Sequence, residues 1–273
     1  MRLTCALLLA TLLAGPAAAQ AFILLQSTTS TANSGLFDHI LPRFTERTGT
    51  EVRVVAVGTG QAIANAMNCD GDVVLTHARA REDKFVADGY AERRFDVMHS
   101  DFVVIGPAAD PAGIAGSSDV TAAFAAIAAA GAPFVSRGDD SGTHAKELDL
   151  WKAAGVDVKA ASGGWYRETG SGMGAAITIA LGMGAYALSD RATWSAYGDK
   201  GDFRVAVEGD PALFNPYGVM LVSPQKCPNV KAAAAQAFVD WLIGAEGQGA
   251  IASFTIGGAQ QFFPAAARPQ AGG

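Results

Sequence analysis

The run "RFDVMHSDFVVIGP" (94–107) is long, extended in character and without helical spacing of its apolar residues. Its β-branched and aromatic residues, and its stop at Pro107, predict one uninterrupted strand. On either side of it, strand and helix signals alternate in two series of similar size, the pattern of α/β layers. A second extended stretch, "FRVAVEGD" followed by "YGVMLVSP", spans 203–224 and closes the second series. Long extended runs at both ends of one series are what two strands crossing between lobes look like. These signals predict an α/β protein with two lobes, each a central sheet flanked by helices, joined by a two-strand hinge. The first lobe is expected at 20–105, an inserted second lobe at 106–218, and a return to the first lobe at 219–264. Residues 265–273 are expected to be a disordered tail.

Outward from that run, the first series reads as strand "AFILLQ" (21–26), helix 35–49 with Leu36, Ile40 and Phe44 at helical spacing, strand 52–57, a helix after "GTG", strand 72–78 and a helix on "REDKFVADG". The second reads as helix 119–131, strand 133–136, helix 143–155 with Leu148 and Trp151 on one face, a strand-like "SGGWYRETG", helix 171–184 and strand 185–190. Two helices divided near Gly244 close the chain.

Before the first strand, Arg2, the apolar run Leu3–Leu13 and the small residues Ala17–Ala19 have the form of an export signal over residues 1–19. The run falls short of the ~20 apolar residues that span a bilayer. About 250 residues remain, enough for two lobes. They keep two cysteines, Cys69 and Cys227. In an oxidising compartment two leftover thiols are expected to pair as one disulfide. Neither these cysteines nor the four histidines show zinc-ligand spacing, so no metal site and no cofactor are expected. A net charge of −6 without a Lys/Arg cluster argues against nucleic acid, though not against a small anion held by local donors.

In an open α/β lobe, ligands bind beyond the carboxyl ends of the strands. Four strand-to-helix loops there are rich in small donors. "QSTTSTANSG" (26–35) carries five hydroxyls in succession from Ser27, Thr28, Thr29 and Ser30 to Thr31, more than a helix cap needs. "VGTGQA" (57–62) holds Thr59 between two glycines that let the backbone approach a ligand. "PFVSRGDDSGTH" (133–144) delivers Arg137 at a strand end, then turns into a helix at Ser141, Gly142 and Thr143. Helix starts carry unpaired N–H groups and partial positive charge, and a guanidinium adds a fork of donors for an oxyanion. "ETGSGMGAA" (168–176) places Gly172 and Met173 at another such start, without a full dinucleotide fingerprint. The implied ligand is small, compact and anionic. Ser141 and His144 also suggest a nucleophile and base, but they lie three apart at a helix start, with no G-x-S-x-G elbow.

At these residues the sequence resembles the periplasmic tungstate-binding proteins of ABC importers, the TupA family. "STTST-ANSGL", "VAVGTGQA", "DVVLTHARAREDKFVADGY", "DFVVIGPAADPAGI", "PFVSRGDDSGTH", "WYRETGSGMG" and "NPYGVMLVSP" follow the family in order, from about Phe22 to Pro264. The resemblance implies a type II periplasmic binding protein that encloses tungstate through its oxo groups, with no bond from protein to metal. It implies a monomer in the periplasm, not an enzyme, that works with an ABC permease in the inner membrane. The family's hydroxyl signature falls on Ser27–Ser30, with Ser27 where the family usually has Thr. Its essential Arg falls on Arg137, and its helix-start residues on Ser141 and Thr143. "HSDF" (99–102), where Tyr-Asn is common, lies near the hinge. Molybdate matches tungstate in size and charge. Phosphate is the rival from a related loop, where an Asp accepts the ligand's proton; Asp139 and Asp140 are the residues whose orientation decides it.

Overall fold

The computed structural model describes residues 21–266. The expected signal segment 1–19 lies outside the described residues, as does the expected tail beyond Ala266. The chain begins with β1 (Phe22–Thr28), α1 (Thr29–Asn33), α2 (Leu36–Thr48), β2 (Glu51–Val57), α3 (Thr59–Met67), β3 (Val73–Thr76), α4 (Arg79–Ala87) and β4 (Phe95–Gly106). It continues with α5 (Val120–Ala130), β5 (Phe134–Ser136), α6 (Gly142–Ala153), β6 (Tyr166–Glu168), α7 (Met173–Met183), β7 (Tyr186–Asp190), α8 (Arg191–Ala196) and β8 (Arg204–Val207). Then follow β9 (Phe214–Leu221), α9 (Ala232–Ile243), α10 (Ala245–Ala252) and the short β10 (Thr255–Ile256), β11 (Ala259–Gln260) and β12 (Phe263–Pro264).

The main sheet runs β2-β1-β3-β9-β4-β7-β5-β6. β1 is parallel to β2 and β3, and β5 is parallel to β6 and β7. The twelve residues of β4 join these two parallel groups. Phe95–Asp101 pairs antiparallel with β9, and Phe102–Ile105 pairs antiparallel with β7. β9 returns beside β4 and pairs on its other edge with β3. β4 and β9 are therefore the two strands that cross between the lobes, and the carboxyl ends of both parallel groups point into the cleft beside them.

Each lobe has its own core. In the first, α2 buries Leu36, Phe37, Ile40, Leu41 and Phe44 along one stripe, as a 3.6-residue period dictates. Phe44 meets Phe238 of α9 edge-on with ring centroids 5.1 Å apart, so the closing helices cover this lobe. In the second, Phe124, Phe134, Trp151 and Tyr166 pack together, with Phe124 and Trp151 rings 4.3 Å apart. The expected face of the helix from 143 is corrected here: Leu148 is 41% exposed. The buried stripe of α6 runs Thr143, Glu147, Leu150 and Trp151, at helical spacing. Glu147 is accommodated there because Tyr166 Oη and Trp151 Nε1 donate to its Oε1 at 2.7 and 3.1 Å. Cys69, at the end of α3, forms a disulfide with Cys227, between β9 and α9.

Candidate functional site

Five helices start at strand ends around the cleft, capped by Thr28 (α1), Gly58 (α3), Ser141 (α6), Gly172 (α7) and Asp190 (α8). Each start leaves N–H groups without an intrahelical partner. The last of the five, "SDRAT", has no counterpart among the loops singled out in the sequence.

Arg137 leaves β5 directly into this ring of helix starts and is 3% exposed. Its Nη2 donates to Asp139 Oδ2 at 2.6 Å and its Nη1 to Thr143 Oγ1 at 3.4 Å, while Nε is buried without a partner. Asp139 is held in turn by the Ser141 amide, which donates to Oδ1 at 3.2 Å. Asp139 therefore aims the guanidinium. Asp140 turns the other way and pairs with Arg81 of α4 on the opposite lobe. Both acidic residues of "RGDDSGT" thus have cationic partners. Gly138 has φ +59, and a Cβ on it would lie 2.9 Å from Glu168 Cβ, so only glycine lets this loop pack against β6. The same packing ties the fourth loop to the third: the Ser171 amide donates to the Arg137 carbonyl at 3.1 Å.

Ser141 Oγ accepts from the His144 amide at 3.2 Å, an N-cap that leaves its hydroxyl proton free. The His144 ring accepts the Asp140 amide on Nδ1 at 3.2 Å, a bond to the loop backbone rather than to the Ser141 hydroxyl. Across the cleft, the Gly142 amide donates to Thr59 Oγ1 at 3.0 Å. The Gly142 N–H, expected at the ligand, is here engaged by the opposite lobe. Thr59 keeps its own proton. Ser27, also expected at the ligand, donates its Oγ to the Leu75 carbonyl at 2.7 Å and braces β1 against β3. Both contacts join residues far apart in sequence, which no local pattern reveals.

The remaining first-loop hydroxyls divide. Thr28 Oγ1 lies 2.8 Å from Thr31 Oγ1 and 3.2 Å from Ser30 Oγ, and Ser30 Oγ lies 3.3 Å from His77 Nε2. Thr29 Oγ1 is buried without a partner, and it faces the start of α7, 3.8 Å from where a Cβ on Gly172 would stand. Met173, the first residue of α7, is fully buried beside it in the chain.

Two further residues reach this cleft. His77 directly follows β3, stacks on Tyr217 with ring centroids 4.8 Å apart, and has Nδ1 3.0 Å from Asn215 Oδ1 on β9. Burial pushes its pKa down to about 4, against the Asn215 bond and with help from the Arg137 charge, so the ring is neutral near pH 7. Asp190 ends β7, the neighbour of β5, and is fully buried. Its Oδ1 accepts from the Thr193 amide at 2.8 Å and its Oδ2 has no partner. Burial raises its carboxyl pKa, opposed by the Thr193 bonds and the nearby Arg137. The signal for both was present: each stands at the carboxyl end of a predicted strand, in "VVLTH" and "YALSD". A hollow of about 600 Å³ opens beside these loops, lined by His77, Arg81, Phe102, Gly142, Lys146 and Asn215. Among the described residues, no group of three or more His, Cys, Asp or Glu is placed to hold a metal.

A family model for the PBP superfamily domain matches residues 14–246. The chain is 42% identical to the tungstate-binding protein TupA of Peptoclostridium acidaminophilum, over 92% of this chain and 88% of that one. Among solved structures, the tungstate-binding protein TupA of Desulfovibrio alaskensis aligns with a TM-score of 0.78 at 43% identity, covering 90% of this chain and all of that one. A tungstate ABC transporter structure from Geobacter sulfurreducens aligns with the same TM-score at 49% identity, over 85% and 98%. A two-lobed α/β chain with this sequence kinship belongs to the TupA family of the PBP superfamily.

Proposed function

We propose that this chain is an extracytoplasmic receptor that encloses tungstate between its lobes and delivers it, as a monomer, to an ABC permease in the inner membrane. The observation that carries the reading is Arg137, buried, with Asp139 aiming it and Asp140 turned to Arg81. Tungstate near neutral pH is a dianion without a proton, so it asks for donors alone. The proposed donors are Arg137, the hydroxyls among Thr28, Thr29, Ser30, Thr59, Ser141 and Thr143, and the backbone at Gly172 and Met173. The relatives' names support the same ligand. Molybdate, equal in charge and nearly so in size, fits the same donors. Ser141 acts here as a cap and donor, not a nucleophile, and the receptor performs no catalysis.

A phosphate receptor is the second reading, favoured by the unpartnered Asp190 Oδ2 in the field of Arg137. Calorimetric titration with tungstate, molybdate, sulfate and phosphate separates the two. The expected result is tight tungstate binding with phosphate far weaker; tight phosphate binding without a tungstate response overturns the proposal.

A further inference from the structure

The first-loop hydroxyls are not equivalent, and His77 and Asn215 decide which one serves the anion. Asn215 Nδ2 donates to the Tyr217 hydroxyl at 3.3 Å, which turns its Oδ1 toward His77 Nδ1. An amide oxygen only accepts, so Nδ1 carries the proton of the neutral ring. Nε2 is then a bare lone pair, and the nearest hydroxyl, Ser30, donates to it. The Ser30 oxygen in turn accepts from Thr28, and Thr28 accepts from Thr31. Followed in this direction, the protons of Thr28 and Ser30 are both engaged within the chain. Toward the cleft these residues present lone pairs, which an oxyanion without a proton does not favour.

We infer that His77 and Asn215 are positioning residues that lock Thr28 and Ser30 into a one-way hydrogen-bond chain, leaving Thr29 as the first-loop hydroxyl that donates to the oxyanion. Thr29 Oγ1 meets the requirement: it is buried, has no partner and faces the start of α7 on the other lobe. Because Asn215 and Tyr217 lie on the crossing strand β9, the chain also ties the binding loop to the hinge. The inference deepens the oxyanion-receptor reading and rests on it.

The test is tungstate calorimetry on variants, with ¹⁵N NMR of the His77 ring. Thr29→Val is expected to weaken binding at least tenfold, the scale of a lost charge-assisted bond, and Thr29→Ser to restore it to within a few fold. Ser30→Ala and His77→Phe are each expected to cost less than Thr29→Val. The double Ser30→Ala, His77→Phe variant is expected to cost no more than the larger single change, since both break the same chain. The spectrum is expected to show the Nδ1–H tautomer. A loss in Ser30→Ala equal to that in Thr29→Val, or an Nε2–H tautomer, overturns the inference. If Arg137→Ala binds normally, or wild type binds no oxyanion, the site reading fails, while the tautomer still decides the chain.

Discussion

Replacing Arg137 by Ala is the sharpest perturbation of the grip. The guanidinium is 3% exposed, its Nη2 is held by Asp139 at 2.6 Å, and its Nε is buried without a partner. A buried donor group with unused capacity, at the carboxyl end of β5 among five helix starts, is placed to bond an oxyanion. A charge-assisted hydrogen bond of this kind contributes about 1.5–3 kcal/mol, so removing one weakens binding roughly 10- to 150-fold. Arg137→Lys retains the charge but not the fork, and an intermediate loss is expected. The ligand-free protein also suffers, because Asp139, 15% exposed at its side chain, loses its cation. Ligand-induced shifts in melting temperature would mix the two effects. The assay is therefore direct calorimetry with tungstate, on variants shown by circular dichroism to be folded. A folded Arg137→Ala protein whose Kd lies within twofold of wild type would refute the assignment of the site to these loops.

The Arg81–Asp140 pair bridges the lobes at the rim, with side chains 32% and 75% exposed. Exposed pairs contribute about 0.2–1 kcal/mol, so Arg81→Ala should speed tungstate release by no more than roughly fivefold in stopped-flow measurements. The Arg81 hydrogen bond holds the Asp140 carboxyl below its ordinary value of 3.8. Its contribution is thus present above about pH 4 and is lost as pH falls through the lower folded value, where release should accelerate. Glu147 behaves oppositely: burial raises its pKa from 4.5 to about 7 despite the Tyr166 and Trp151 bonds. The folded state then keeps a proton that the unfolded chain releases, so stability falls as pH rises from about 4.5 to 7. Glu147→Gln should flatten that slope in thermal melts between pH 5 and 8. Reduction of Cys69–Cys227, which are 158 residues apart, should lower stability by about 2–4 kcal/mol in urea titrations.

Much of the architecture was legible because its signals are local. The run at 94–107 announced β4, and apolar spacing announced α2; both depend on neighbours within a turn or a strand. Helix α6 was placed correctly and Trp151 lies on its buried face, but Leu148 does not. The apolar Leu148 drew attention, while the buried position belongs to Glu147, whose partners Tyr166 and Trp151 make a carboxyl tolerable there. The short α8 carried too few residues for a periodic signal, and with it Asp190 escaped notice.

At the cleft, the sequence by itself determined the chemistry on offer: hydroxyls and glycines at strand ends, one Arg, and helix starts with open N–H groups. Those follow from residue type and near neighbours. Tertiary structure alone decided how each donor is used. Ser27 turns to Leu75, Gly142 reaches Thr59 across 83 positions, and Ser30 meets a histidine 47 positions away that is itself oriented by Asn215, 138 further on. A hydrogen bond has a direction, and that direction is set by the partner. Where the partners come from the other lobe or the hinge, only the folded chain brings them within reach.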